Sequence, residues 1–313
     1  MRAIEGTTAM TTCLPGPGPR LAARILLLAA GLIAAPATCV AASGSDSDPD
    51  SRFDPIVAAE VALGSDAWRA QMLEQSPRRH EMVKLERTGR ILEAFVAYPD
   101  VEGTVPVVLM IPEDQGLNNW ARNMADQIAA MGYLVITPDM LSGLGPNGGG
   151  RSSFPDIRSV LKAHSMLPAH EGPMTADLNA WADYGKALAK SNGRLAVVGF
   201  AWGGGRAFWF ATQRKDLGEA FIFYDASPPP SALASLTAPV FGFYATIDPR
   251  VTKSLAGTEA AMAAAGKHYE PVVYPGSEHM FVRLGEEPGN RNPANIEARS
   301  LALARLQELL KKL

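Results

Sequence analysis

The sequence predicts an α/β fold, a mainly parallel sheet with helices on both faces. Three observations carry the prediction. Short apolar runs such as Pro106 to Ile111 and Tyr133 to Thr137 read as central strands buried on both sides. Asn118 to Met131, between them, has helical periodicity and stops at Gly132. A further apolar run, Val197-Val198-Gly199-Phe200, breaks at Ala201-Trp202 into Gly203-Gly204-Gly205 and a helix-like stretch. Strands that alternate with helices imply parallel crossovers, and these cover both faces of a sheet.

The chain before about Phe53 is expected to lie outside the fold. Arg20 and Arg24 precede an apolar run, Ile25 to Ala35, and Val40-Ala41-Ala42 offers small residues for cleavage. This is the order of an export signal, so residues 1–42 are read as a signal peptide removed after Ala42. The run is too short to span a bilayer comfortably. Residues 43–52, rich in Ser and Asp, read as a disordered leader. Residues 53–313 then form one domain of an exported protein, periplasmic or secreted, free of the membrane once the signal is gone. Both cysteines, Cys13 and Cys39, fall in the signal, so the mature protein would hold no thiol and no disulfide. A net charge of -3 gives no nucleic-acid signal. The expected partner is a small molecule, and the expected state is a monomer.

Within the domain, Val57 to Glu74 reads as a helix broken by Ser76-Pro77. His80 to Glu86 and Arg90 to Tyr98 alternate as paired strands about the turn Arg87-Thr88-Gly89. The loop Leu141 to Pro155 is rich in glycine but lacks the Gly-Lys-Ser/Thr ending of a phosphate loop, and is read as a mobile rim over a pocket. Helices are expected over Asp156 to His164, Thr175 to Ser191, Thr252 to Ala265 and Pro293 to Lys312. Strand, turn and helix run from Leu195 to Gln213. Further strands are expected over Glu219 to Tyr224, Pro239 to Ala245 and Tyr269 to Tyr274.

The chemistry is read from the strand ends. Gly199-x-Ala201-x-Gly203 has the spacing of a nucleophile elbow, a sharp turn that lifts one side chain above the sheet. Its glycines fit because strand and helix backbones crowd there. Ala201 stands where Ser or Cys would attack. Asp248 and His279 each follow a predicted strand, where active residues of such sheets collect. Nucleophile, acid and histidine come in the α/β-hydrolase order. His279 would take the nucleophile's proton and return it to the leaving group; Asp248 would fix the imidazole tautomer. Trp181, Tyr184, Phe208, Trp209 and Phe210 read as core. His80, His164, His170 and His268 have no metal-ligand spacing, so neither metal nor cofactor is expected.

From Ser76 to Leu313 the chain resembles the dienelactone hydrolase family. The resemblance rests on Ile111-Pro112-Glu113-Asp114-Gln115-Gly116-Leu117-Asn118, on Ala129 to Tyr133 with Thr137-Pro138-Asp139, and on Val198 to Gly204. Tyr244 to Val251 and Tyr274 to Phe281 complete it. It implies hydrolysis of lactones or esters by a Cys-Asp-His triad. It also implies that Asp248 and His279 are acid and base, and that Glu113 takes part in activating the thiol. The backbone N–H groups of Trp202 and Asp114 would line the oxyanion hole. Arg283 would hold a substrate carboxylate.

Ala201 departs from the family cysteine, because a methyl group has no lone pair. Three explanations stay open from sequence: an engineered knock-out, a natural loss, or another attacking group such as water or the hydroxyl of Ser142 or Ser277. The second class of function is a non-catalytic periplasmic binding protein for small carboxylated lactones or esters.

Overall fold

The computed structural model describes residues 67–167 and 172–313. The expected signal, the leader, residues 57–66 of the first predicted helix, and His170 lie outside the described residues. Helix α1 (Ala67–Glu74) precedes the hairpin of β1 (His80–Arg87) and β2 (Arg90–Ala97). Thr88 and Gly89 join its arms with φ of 50° and 73°, as a two-residue turn matched to strand twist requires.

Next come β3 (Val105–Ile111), α2 (Asn119–Ala130), β4 (Leu134–Pro138), α3 (Ile157–Met166) and α4 (Gly172–Ala187). The second half holds β5 (Ser191–Phe200), α5 (Trp202–Gln213), β6 (Glu219–Phe223), α6 (Pro230–Leu233) and β7 (Val240–Ile247). It ends with α7 (Pro249–Ala264), β8 (Tyr269–Glu278), α8 (Phe281–Leu284) and α9 (Pro293–Leu310). The strands form one sheet in the order β1-β2-β4-β3-β5-β6-β7-β8. From β4 to β8 every pairing is parallel; the hairpin adds two antiparallel strands at one edge.

Alternation along the strands divides the core in two. Val108 and Met110 of β3, with Ala196, Val198 and Phe200 of β5, face α2 and α9. Val107, Leu109 and Ile111, with Leu195 and Val197, face α4 and α5. This is the two-sided burial that the continuous apolar runs predict. Phe200, Phe223 and Phe243 stack across three neighbouring strands, their centroids 4.5 and 4.2 Å apart. The Asn118 side chain caps α2 by accepting from Ala121 N at 2.9 Å.

Several boundaries differ from the sequence expectation. β5 begins at Ser191, not Leu195, because Val105 pairs with Ser191 across a register shift. α7 begins at Pro249, where a missing N–H costs nothing in the first helical turn. β8 continues through Pro275-Gly276 to Glu278, pairing with Ile247 beyond a second register shift.

The glycine-rich loop is more organised than expected. Asp139 accepts from the amides of Leu141 and Arg151 at 3.0 and 2.7 Å, and Arg151 Nε donates to Gln115 O at 3.2 Å. Ser142 and Leu144 line an apolar cavity of about 280 Å³ together with Leu178 and Trp181. The loop thus borders a pocket, but a different one from that at Ala201. Among the described residues no helix is long and apolar enough to cross a membrane.

Candidate active site

The site begins where β5 stops. Ala201 has φ 47° and ψ -123°, and its N–H donates to Phe223 O at 3.0 Å. A methyl group built on Gly199 would overlap the Gly203 carbonyl; one on Gly203 would overlap the carbonyls of Ile111 and Pro112. Both glycines are therefore required for the close approach of α5, β5 and the β3 turn. A non-glycine residue at such a φ stores about 1–3 kcal/mol of strain, which the packing around it sustains.

Asp248 follows β7 and His279 follows β8. His279 Nδ1 donates to Asp248 Oδ2 at 2.6 Å, and Arg250 Nε approaches Asp248 Oδ1 at 3.3 Å. Burial by itself would raise the Asp248 carboxyl. The bond and charge of His279, with Arg250, outweigh it and hold the group below its ordinary value. Asn295 of α9 fixes the approach to His279: its Oδ1 accepts from Glu278 N and its Nδ2 donates to Glu278 Oε2, at 2.9 and 2.8 Å. Ala201, His279 and the turn residues Asp114 and Trp202 line one pocket of about 370 Å³, with Asp225, Arg250 and Met280. Burial raises both the Asp114 and Asp225 carboxyls.

Glu113 lies beneath this pocket, almost fully buried. Its Oε1 accepts from Tyr224 OH at 3.3 Å, and Arg283 Nη1 lies 3.5 Å from its Oε2. Burial pushes its carboxyl up to about 7, against the pull of Arg283. Arg283 does not join the pocket lining. Its side chain is 3% exposed; it donates to Gln115 Oε1 and lies 3.7 Å from Glu287. Among the described residues, the guanidinium that lines the pocket is that of Arg250, whose side chain is 69% exposed. The hydroxyls of Ser142 and Ser277 are not attacking groups here. Ser142 is buried, donating to Asp139 O and accepting from Glu93 N; Ser277 is buried and donates to Tyr274 O.

Sequence reasoning missed four residues. Tyr224, with φ 42°, sets its ring edge-on to His279 at 5.3 Å. Asp225 accepts from Gly205 N at 3.1 Å and Ala226 N at 2.8 Å. Both follow β6, so the strand-end rule that found Asp248 would have found them. His164 and Arg206 hold the Trp202 indole, at 5.1 and 4.7 Å. Burial pushes the His164 ring down to about 4, leaving it neutral at neutral pH. No sequence period links these three residues. Among the described residues no group of three or more His, Cys, Asp or Glu side chains is placed to hold a metal ion.

The arrangement supplies an oriented imidazole base beside a raised turn, with a methyl group at the tip. Comparison with known proteins adds to this geometry. The model of the dienelactone hydrolase family matches residues 92–313. A protein of Methylorubrum extorquens named "Putative carboxymethylenebutenolidase" is 26% identical over 212 residues, covering 64% of this chain and 71% of its own. The Klebsiella pneumoniae crystal structure named "Putative Dienelactone Hydrolase" superposes with a TM-score of 0.65 at 23% identity, over 75% of this chain and 99% of that one. A dienelactone hydrolase from Anabaena variabilis superposes with a TM-score of 0.52 at 18% identity, covering 72% and 95%.

Proposed function

The chain belongs to the dienelactone hydrolase family, and from that premise we propose that its pocket is a site for small carboxylic esters or lactones, with Ala201 in the nucleophile's place. The observation that carries this reading is the backbone at residue 201. A strained φ of 47° is retained at the tip of a turn although an alanine gains nothing chemically from being presented there.

In this reading the substrate carbonyl lies over Ala201. The amides of Trp202 and Asp114 donate to its oxygen, and charge that develops there is the main thing such a site stabilises. His279 is the general base and Asp248 holds its tautomer. A substrate carboxylate would meet Arg250 at the mouth, since the Arg283 guanidinium is engaged below. Residue 201 forms no acyl intermediate, so turnover in this chain would need another attacking group, such as a water activated by His279.

The test is Ala201→Cys. An imidazole beside the new thiol favours the thiolate, and loss of a triad nucleophile costs on the order of 10⁶ in turnover. The variant should hydrolyse an activated aryl ester at least about a thousandfold faster than the parent chain. The gain should disappear in Ala201→Cys/His279→Ala. The methyl at residue 201 also favours the second reading, a non-catalytic binding protein. That reading becomes the better one if Ala201→Cys binds small esters and hydrolyses them no faster than the parent. We propose further that the protein is exported and loses residues 1–42, on the basic, apolar, small-residue order of that segment.

A further inference from the structure

Helix α1 lies upstream of the residues that the family model matches, yet one of its side chains reaches toward the site. Arg69 is buried. Its Nε lies 2.8 Å from Glu286 Oε1 and its Nη2 lies 2.5 Å from Glu287 Oε1. Glu287 is in turn 3.7 Å from Arg283 Nε, and Arg283 Nη1 is 3.5 Å from Glu113 Oε2. Glu286 has a second cation, Arg299, at 2.9 Å. Among the described residues, the guanidinium groups of Arg69, Arg283 and Arg299 thus face the carboxyl groups of Glu113, Glu286 and Glu287.

Arg283 is shared: besides its bond to Gln115 Oε1, it lies 3.5 Å from Glu113 and 3.7 Å from Glu287. Which one draws it depends on how well each is neutralised elsewhere. Glu287 has Arg69 at close range; the other groups facing Glu113 are Tyr224, His279 and the neighbouring Asp114. In a buried, low-dielectric place such competition is strong.

We propose that Arg69 is a positioning residue for the pocket: by satisfying Glu286 and Glu287 it leaves Arg283 available to hold Glu113 and Gln115. Glu113 and Gln115 flank Asp114, so Arg283 braces the turn that lines the pocket. Removing the Arg69 charge leaves Glu287 under-neutralised. Arg283 then moves to Glu287, and Glu113 loses the cation that favours its ionised form. The inference rests on the proposed function only in treating this pocket as the working site.

The test follows the Glu113 carboxyl by ¹³C NMR across pH in the parent chain, with Glu113→Gln assigning the signal. No substrate and no thiol are involved, so the result is independent of whether Ala201→Cys gains esterase activity. Arg69→Gln should move the Glu113 midpoint upward by about half a pH unit or more. Arg69→Lys should restore most of it, and Arg69→Gln/Glu287→Gln should return it to the parent value, which lost packing alone would not do. Glu287→Gln alone should move the midpoint down, and it remains readable if Arg69→Gln does not fold. An unchanged midpoint in folded Arg69→Gln overturns the proposal. So does a double variant shifted as far as the single one, or a Glu287→Gln protein with no downward shift.

Discussion

Ala201 is one of three non-glycine residues with positive φ that cluster at strand ends around the pocket. Ala201 follows β5 at 47°, Tyr224 follows β6 at 42° and Met280 lies beyond β8 at 61°. Strain of this kind persists only where surrounding structure over-determines it. At Ala201 the determinants are the crowded Gly199 and Gly203 and the bond to Phe223 O. Glycine adopts this conformation without a Cβ penalty, so Ala201→Gly should raise unfolding stability by about 1 kcal/mol, net of its greater freedom in the unfolded chain. A urea midpoint at or below the parent's would show that the turn is relaxed. The positions of Ala201, Asp248 and His279 were legible in the sequence because each follows a strand, and strand ends carry a local signature. The depth of Arg283 was not. Its distance of four residues from His279 gives no sign that Glu113, Gln115 and Glu287 would take its guanidinium.

At the scale of elements, β6 carries an unusual burden at its start. Glu219 is buried there, and its Oε2 has no hydrogen-bond partner among the described residues. Burial pushes its carboxyl up to about 7, partly opposed by Lys312. The folded protein therefore holds a proton that the unfolded chain releases near its ordinary value of 4.5. The stability this confers is complete below 4.5 and is lost as pH rises toward 7. Glu219→Gln should remove that dependence. Unfolding measured at pH near 7.5 should be about 2 kcal/mol more favourable to the folded state than in the parent, with little difference near pH 4. Equal effects at both pH values would place the cause in packing. The long elements were legible because their periods repeat. Helices α6 and α8, four residues each, are too short to show one. β8 was cut short because Pro275-Gly276 signals a turn, whereas pairing with β7 carries the strand past it.

At the scale of the whole molecule, the alternation of strands with helices and the two-sided core follow from apolar runs visible in the sequence, whereas the order of the strands in the sheet does not. The tie from α1 to the pocket does not, because Arg69 and Glu287 are 218 residues apart and such pairs leave no local pattern. The apolar cavity beneath the glycine-rich loop was equally hidden, since its walls come from the loop, β2, β4 and α4. The export proposal belongs to this scale. Intact mass measured on protein from the native host should correspond to residues 43–313, and a full-length cytosolic protein would end the proposal. The turn at residue 201 has a further consequence. Its shape is dictated by Gly199, Gly203 and their neighbours, and not by the side chain it displays. The fold therefore works as a socket with fixed coordinates and an interchangeable fitting. Mounting geometry and reactivity are separately heritable in such a molecule, so an active and a silent form can lie one codon apart.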